Sequence, residues 1–430
     1  MGLKVAIIGA GSTYTPELFD GFIKRKDELP VSEFCLMDIN EEKVGIVSAL
    51  AKRMLDANDI DCKFEVTTDL DYALAGADFV LSQIRVGGLE ARAKDEKIPL
   101  KYDLIGQETT GIGGMFKALR TIPVVMNIAK RMEVLCPDAW LINFANPSGI
   151  IAEMILNNTN VKMMGLCNAP VFTKGNTKEL VVPEDAKDVY IEYLGLNHLT
   201  WVTGVYCDGV DILPEKLEEN ITVGSMANIS KIEMDPELTK SVRALLGSTY
   251  LTYYYFREQQ LKKQKEAELS RAEECMAIEE ELLELYKDES IISKPEVLDK
   301  RGGAMYSEAA VSLISAIHND KQEEHTVDVR NMGALDFMDD SDVVEINCII
   351  GKDGAKPIKP RKELSNHIKG LMRTVKNYER YTVTAGLNGN YEDAMLGLLI
   401  HPLIGDFEKG KACFDELLEA HKEYLPKFFK

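Results

Sequence analysis

The chain has 430 residues, 45% hydrophobic and 28% charged, with a formal net charge of −20; that is room for two domains and a large core, with an ordinary globular composition. So acidic a balance argues against nucleic acid or an anionic membrane as a partner, because both need a basic footprint. An anionic substrate then has to be captured by a local cluster of arginines, against the overall field.

Residues 4–20, KVAIIGAGSTYTPELFD, read as a buried strand, a glycine-rich turn and the start of a helix. Gly9 permits a tight turn, and Gly11 lets the backbone approach a pyrophosphate held at the helix N-terminus. Ser12 and Thr13 belong to the same cofactor-binding turn. The third glycine of GxGxxG is absent, and Tyr14 stands in its place. A second strand, Glu33–Met37, ends in Asp38, an acid placed to accept hydrogen bonds from an adenosine ribose, which favours NAD over NADP. A Rossmann-like domain binding something else is the alternative. The N-terminus enters the first strand at once, and no stretch has the apolar length of a membrane span. Eight cysteines (35, 62, 136, 167, 207, 275, 348 and 413) show no disulfide-like spacing. The expectation is reduced thiols in a cytoplasmic protein.

The alternation continues with a helix over roughly 41–57, a strand at 63–67, a helix at 70–75 and a strand at 79–84, the rhythm of a parallel sheet. Glycine-rich segments follow, Arg85–Arg92 and Ile105–Gly111, where such sheets place functional loops. Arg92 and Glu108 are the polar groups of interest, although by default the first lies on a solvated helix face and the second is a cap. An apolar-periodic helix is expected over 119–135, beginning at a Thr-Ile-Pro entry. The buried strand Trp140–Ala145 then ends in Asn146-Pro147-Ser148-Gly149. Asn146 offers a side-chain amide at the sheet's carboxyl edge, and an ordinary turn explains it equally well.

After a helix at 149–156, the strand beginning at Val161 brings Cys167 to its carboxyl end, where ligands sit in open α/β sheets. His198 follows the segment Tyr190–Leu196. A Cys and a His can together hold a soft or borderline metal. Taken alone, they are equally a small buried hydrophobe and a hydrogen-bonded core histidine, and paired CxxC spacings are absent. Beyond His198 the pattern turns to helices and irregular connections. The expected division is 1–195, a Rossmann-like doubly wound parallel sheet domain, and 196–430, a helix-rich α+β domain for substrate binding, completion of the metal site and oligomerisation.

Thr249–Tyr255 packs four tyrosines into six positions. Most are packing residues, and at least one is a candidate for proton transfer, since a neighbouring cation lowers a phenol's pKa. Residues 257–287 read as one long charged helix with Arg271 near its middle. Lys300-Arg301-Gly302-Gly303-Ala304 opens another helix through His318. Residues 324–333 and 342–347 form a β-rich patch, and amphipathic helices occupy the chain from about 365.

In order and spacing, the segments GAGSTYTPE, RVGGLEAR, IGQET, NFANPSG, GLCNAP, LGLNH, the tyrosine cluster, SRAE, RGGAMYSEAA and NMGAL resemble glycoside hydrolase family 4. Cys167 followed by Asn168 resembles its 6-phospho-β-glucosidase branch; the α-specific enzymes have an Asp there as general acid, a role Asn168 cannot fill. The resemblance implies a redox detour. Nicotinamide takes hydride from sugar C3, a base removes the acidified C2 proton, the C1–O bond breaks by elimination, water adds, and hydride returns. It implies that Cys167 and His198 hold a divalent metal, Mn2+ in the family, and that Tyr250 is the C2 base, with Tyr253 the alternative. Glu108 is then the carboxylate that raises the tyrosine's basicity, and Asn168 lies beside the metal ligand, so that any protonation of the leaving group comes through water or another nearby group. Arg92, Asn146 and Arg271 match positions that bind a phosphorylated disaccharide or β-glucoside, and a homodimer or homotetramer is expected. An α-specific member of the family, an NAD-dependent dehydrogenase with net turnover and a non-catalytic NAD sensor are the other readings.

Overall fold

The computed structural model describes all residues except 1, 220, 222–228, 230, 233, 234 and 302–304. Gly302, Gly303 and Ala304 of the RGGAM segment therefore lie outside the described residues. In chain order the strands are β1 (Leu3–Ile8), β2 (Val31–Met37), β3 (Lys63–Thr67), β4 (Phe79–Ser82), β5 (Trp140–Asn143), β6 (Lys162–Gly165), β7 (Val189–Leu196), β8 (Leu199–Cys207), β9 (Val210–Asp211), β10 (Leu245–Leu246), β11 (Glu323–Arg330), β12 (Val343–Gly351) and β13 (Gly354–Pro357).

Strands β1 to β6 pair in parallel in the order β3-β2-β1-β4-β5-β6, the dinucleotide-binding order, whose ligand crevice opens where β1 and β4 diverge. The reason is legible in β1: Val5, Ala6 and Ile7 are fully buried, as befits a strand covered by helices on both faces. On one face Phe19, from the helix Thr15–Lys24, meets Phe34 of β2 with ring centroids 4.9 Å apart. The expected α/β class with a helix-rich second half is what the chain adopts.

The same sheet continues past β6 with antiparallel partners, β11, β12, β7, β8 and β10, while β13 pairs with β12 and β9 with β8. The junction is narrow: Gly165 of β6 pairs with Asp328 of β11. A Cβ on Gly165 would lie 2.6 Å from Asp328 Oδ2 and Ser148 Oγ, so this approach requires glycine.

Three local expectations are corrected. Past His198 the chain does not become irregular but returns as β8, buried at every position, so it shows no polar–apolar alternation to read. The helix expected at 119–135 begins at Gly111 and contains Pro123; proline's preference for a first turn had suggested a start there. The single helix expected over 257–287 is two, Arg257–Glu266 and Arg271–Lys287. Ser270 caps the second through a reciprocal box with Glu273, which satisfies amide donors that a continuous helix would not leave free. Arg271 is thus a first-turn residue. All eight cysteines are unpaired, and among the described residues no helix is long and apolar enough to cross a membrane.

Candidate active site

At the β1–β4 divergence, Gly9 has φ +86° and an added Cβ would lie 2.9 Å from the Ile84 amide nitrogen. The Gly11 N–H donates to Asp38 Oδ2 at 2.8 Å, and a Cβ there would come within 2.9 Å of the same oxygen. Asp38 thereby braces the turn and keeps acceptor capacity for another donor. The Ser12 amide donates back to the Gly9 carbonyl at 3.1 Å, and Thr13 Oγ1 is buried with no hydrogen-bond partner among the described residues. A glycine turn closed to side chains, an unpaired buried hydroxyl and the N-terminus of Thr15–Lys24 together fit a dinucleotide phosphate.

Cys167 lies two residues beyond β6, and His198 sits in the β7–β8 turn at φ +66°. Their Sγ and Nε2 are 3.5 Å apart, a thiol–imidazole contact that also matches the roughly 3.6 Å between two ligands of one tetrahedral ion with bonds of about 2.3 and 2.1 Å. Burial, then the charge of Lys117, pulls the His198 pKa down to about 3, so the imidazole is neutral, the form that ligates. Burial, then Glu345, pushes the Cys167 thiol up. Among the described residues no group of three or more His, Cys, Asp or Glu could hold a metal. The pair therefore fits an ion that takes its remaining ligands from substrate or water. Neighbouring Asn197 donates to Glu345 Oε1 at 2.9 Å, which anchors the turn. Asn168 is buried beside Cys167 at the start of the helix Ala169–Val181.

The tyrosine cluster resolves by position. The Tyr250 ring stacks on His198, centroids 4.1 Å apart. Tyr253 instead accepts a hydrogen bond from Gln107 at 3.0 Å, and Tyr254 shares one with Thr110 at 2.9 Å. Burial raises all three phenols, Tyr253 to about 12. Arg92's charge works against this at Tyr253 without overcoming burial, and no cation of the protein is set against burial at Tyr250 or Tyr254.

Glu108 is not a cap. It is buried against Arg85, Arg92 (3.1 Å) and Lys117. Against the cost of burial, these three hold its carboxyl well below the usual range. Burial, then Arg85, brings Lys117 down to about 7. Arg92 is equally unlike a solvated residue: it is buried, with Nε donating to Glu96 at 2.7 Å. Three cations face two carboxylates, Glu108 and Glu96, which leaves local positive charge inside an acidic chain. Glu96 also accepts from the Ala272 amide at 2.8 Å, which draws the first turn carrying Arg271 toward the cluster. Arg271 itself pairs with Glu274 at 2.7 Å and donates to the Lys300 carbonyl at 2.9 Å. Asn146, half-buried, follows β5 and precedes a cis proline bond. Sequence reading missed Arg85 and Lys117 as site residues. The one usable signal was Lys117 on an otherwise apolar, glycine-rich helical face.

Behind Cys167 and His198, Asp328 and Glu345 oppose each other on β11 and β12. Burial raises both carboxyls, Asp328 to about 6, and Asp328's charge raises Glu345 further. The pair retains a proton where an exposed pair would have lost both.

The comparisons with known proteins cover this whole arrangement. Residues 4–182 match the profile described as family 4 glycosyl hydrolase, and residues 193–404 match that family's C-terminal domain. A chain from Bacillus subtilis (strain 168), named a probable 6-phospho-beta-glucosidase, is 46% identical across 100% of this chain and 98% of its own length. The 6-phospho-beta-glucosidase of Escherichia coli (strain K12) is 39% identical over 99% and 97%. The solved 6-phospho-beta glucosidase of Thermotoga maritima, with manganese, NAD+ and glucose-6-phosphate, superposes with a TM-score of 0.88 at 36% identity, covering 98% of this chain and 99% of that one. With both halves of the family profile matched and relatives this similar along their full length, the chain belongs to family 4 of the glycosyl hydrolases.

Proposed function

We propose that the chain hydrolyses 6-phospho-β-glucosides to glucose 6-phosphate and aglycone, using NAD+ and a divalent ion such as Mn2+. The observation that carries this reading is the Cys167–His198 pair with Tyr250 stacked on its imidazole. When bound, nicotinamide exchanges hydride with C3 while the ion draws charge from the C2 and C3 oxygens. Gly9, Gly11, Ser12, Thr13 and Asp38 hold the dinucleotide. Tyr250 removes the C2 proton, and Glu108 fixes the surrounding cations. Arg92 and Arg271 answer the 6-phosphate with charge-assisted hydrogen bonds, and Asn146 positions the sugar.

Asn168 bears on the anomeric preference, because an amide cannot protonate a leaving group on the face where the α-specific enzymes of the family place an acid. Cellobiose 6′-phosphate is therefore cleaved faster than maltose 6′-phosphate when both are assayed with NAD+, Mn2+ and a thiol reductant. No net NADH accumulates, and Asn168→Asp shifts the balance toward the α-linked sugar. Equal or better turnover of maltose 6′-phosphate by the unaltered chain would overturn the β assignment. NADH formed mole for mole with substrate consumed would show a dehydrogenase instead.

We also propose a homo-oligomer. The helix Tyr391–Ile400 exposes Leu396, Leu399 and Ile400, and Phe407 is exposed just beyond it, an apolar patch of the kind that marks an interface. Light scattering at micromolar concentration is expected to report a dimer or tetramer; a monomer refutes it.

A further inference from the structure

Arg301 is 6% exposed, and its guanidinium is only partly used. Nη2 donates to Glu279 at 2.9 Å, and the group lies 4.6 Å over the Tyr14 ring centre. Nε and Nη1 are buried without any acceptor among the described residues. Buried donors of a charged group rarely stay unpaired, because each costs the desolvation it never recovers. The surroundings indicate which acceptor fits. Tyr14, which closes the glycine turn, donates its hydroxyl to the Arg301 carbonyl at 3.1 Å. Tyr286 donates to the Thr13 carbonyl at 2.7 Å, and Thr13 Oγ1 is a second buried, unpartnered polar atom in the same turn. Glu279 also meets Lys43, whose Cβ lies 3.2 Å from where a side chain on Gly11 would begin. Arg301 and the helix Arg271–Lys287 thus close over the turn from the second half of the chain.

We propose that Arg301 binds a phosphate oxygen of the dinucleotide held at Gly9–Thr13, a cofactor contact supplied from outside the parallel-sheet half. This rests on the NAD reading above. The chemistry recognised is a phosphate oxyanion, and two sources can reach the site, the cofactor's pyrophosphate and the sugar's 6-phosphate. The position against Tyr14 and Thr13 favours the first. Glu279 orients the guanidinium through Nη2 and leaves the other two nitrogens for the ligand.

The test is titration calorimetry on the full chain and on Arg301→Gln and Arg301→Lys, with NAD+ and separately with glucose 6-phosphate. Arg301→Gln is expected to weaken NAD+ about tenfold or more, the size of a lost charge-assisted hydrogen bond. Glucose 6-phosphate should change by less than about twofold, and Arg301→Lys, which keeps the charge, should recover part of the NAD+ affinity. A merely structural role would weaken both ligands and gain nothing from lysine, and would overturn the proposal. NAD+ binding unchanged in both variants overturns it too, as does a loss confined to glucose 6-phosphate. An unaltered chain that binds no NAD+ would instead overturn the functional reading on which this one rests.

Discussion

Cys167→Ser and His198→Asn are each expected to lose about a thousandfold or more in turnover, roughly 4 kcal/mol of barrier. The size follows from the absence, among the described residues, of any third protein ligand to share the ion. Losing either donor leaves a single ligand. Asparagine is the better replacement at 198 because φ is +66° there. Alanine would keep the left-handed backbone strain of about 1–2 kcal/mol, which asparagine tolerates. Titration of Mn2+ followed by electron paramagnetic resonance should show the bound fraction falling in parallel with activity. Thiol oxidants and chelators should inactivate the unaltered chain, and reductant with Mn2+ should restore it. A variant with normal turnover and normal Mn2+ content would remove its residue from the site.

Tyr250→Phe is expected to lose about 10²- to 10⁴-fold in turnover, the range for removing a general base, with NAD+ and Mn2+ affinities unchanged. In deuterated water the unaltered chain should deliver glucose 6-phosphate labelled at C2, and the variant should not. Tyr253→Phe is the internal comparison. Its hydroxyl is already engaged by Gln107 at 3.0 Å, so that variant should lose less than about tenfold, the scale of one neutral hydrogen bond. If Tyr253→Phe is the more damaged enzyme, the two assignments exchange.

What could be read from the chain was what its neighbours in sequence decide. Gly9, Gly11 and Asp38 belong to two adjacent strand ends, and the apolar runs around them permit little but a buried parallel sheet. Cys167 at a strand's carboxyl end and His198 beyond the next strand were visible for the same reason. The partners of Glu108 were not, because Arg85, Arg92 and Lys117 reach it from separate segments that only the tertiary packing brings together. Nor was β8, whose uniform burial erases the period that marks a half-exposed strand. The placement of β11 and β12 between β6 and β7 is non-local pairing, about which neither periodicity nor turn residues carry information.

That insertion has a consequence for a chain made from its N-terminus. By residue 165 the ribosome has delivered every strand of the parallel half, and by residue 207 the β7–β8 hairpin with His198 at its tip. The hairpin's neighbour in the sheet, β12, does not arrive until residues 343–351, and β11, which bridges to β6, only at 323–330. Units complete in sequence fold during synthesis, and long-range pairings wait. The strands that carry the glycine turn are therefore complete early, while the sheet that seats Cys167 and His198 closes only after some 150 further residues have emerged, counting from His198 to the end of β12 and consistent with the slow closure of distant strand pairings. Until that later stretch has emerged, the His198 hairpin lacks its neighbour β12 and the glycine turn lacks Arg301 and the helix Arg271–Lys287, so both sites are finished from the second half of the chain.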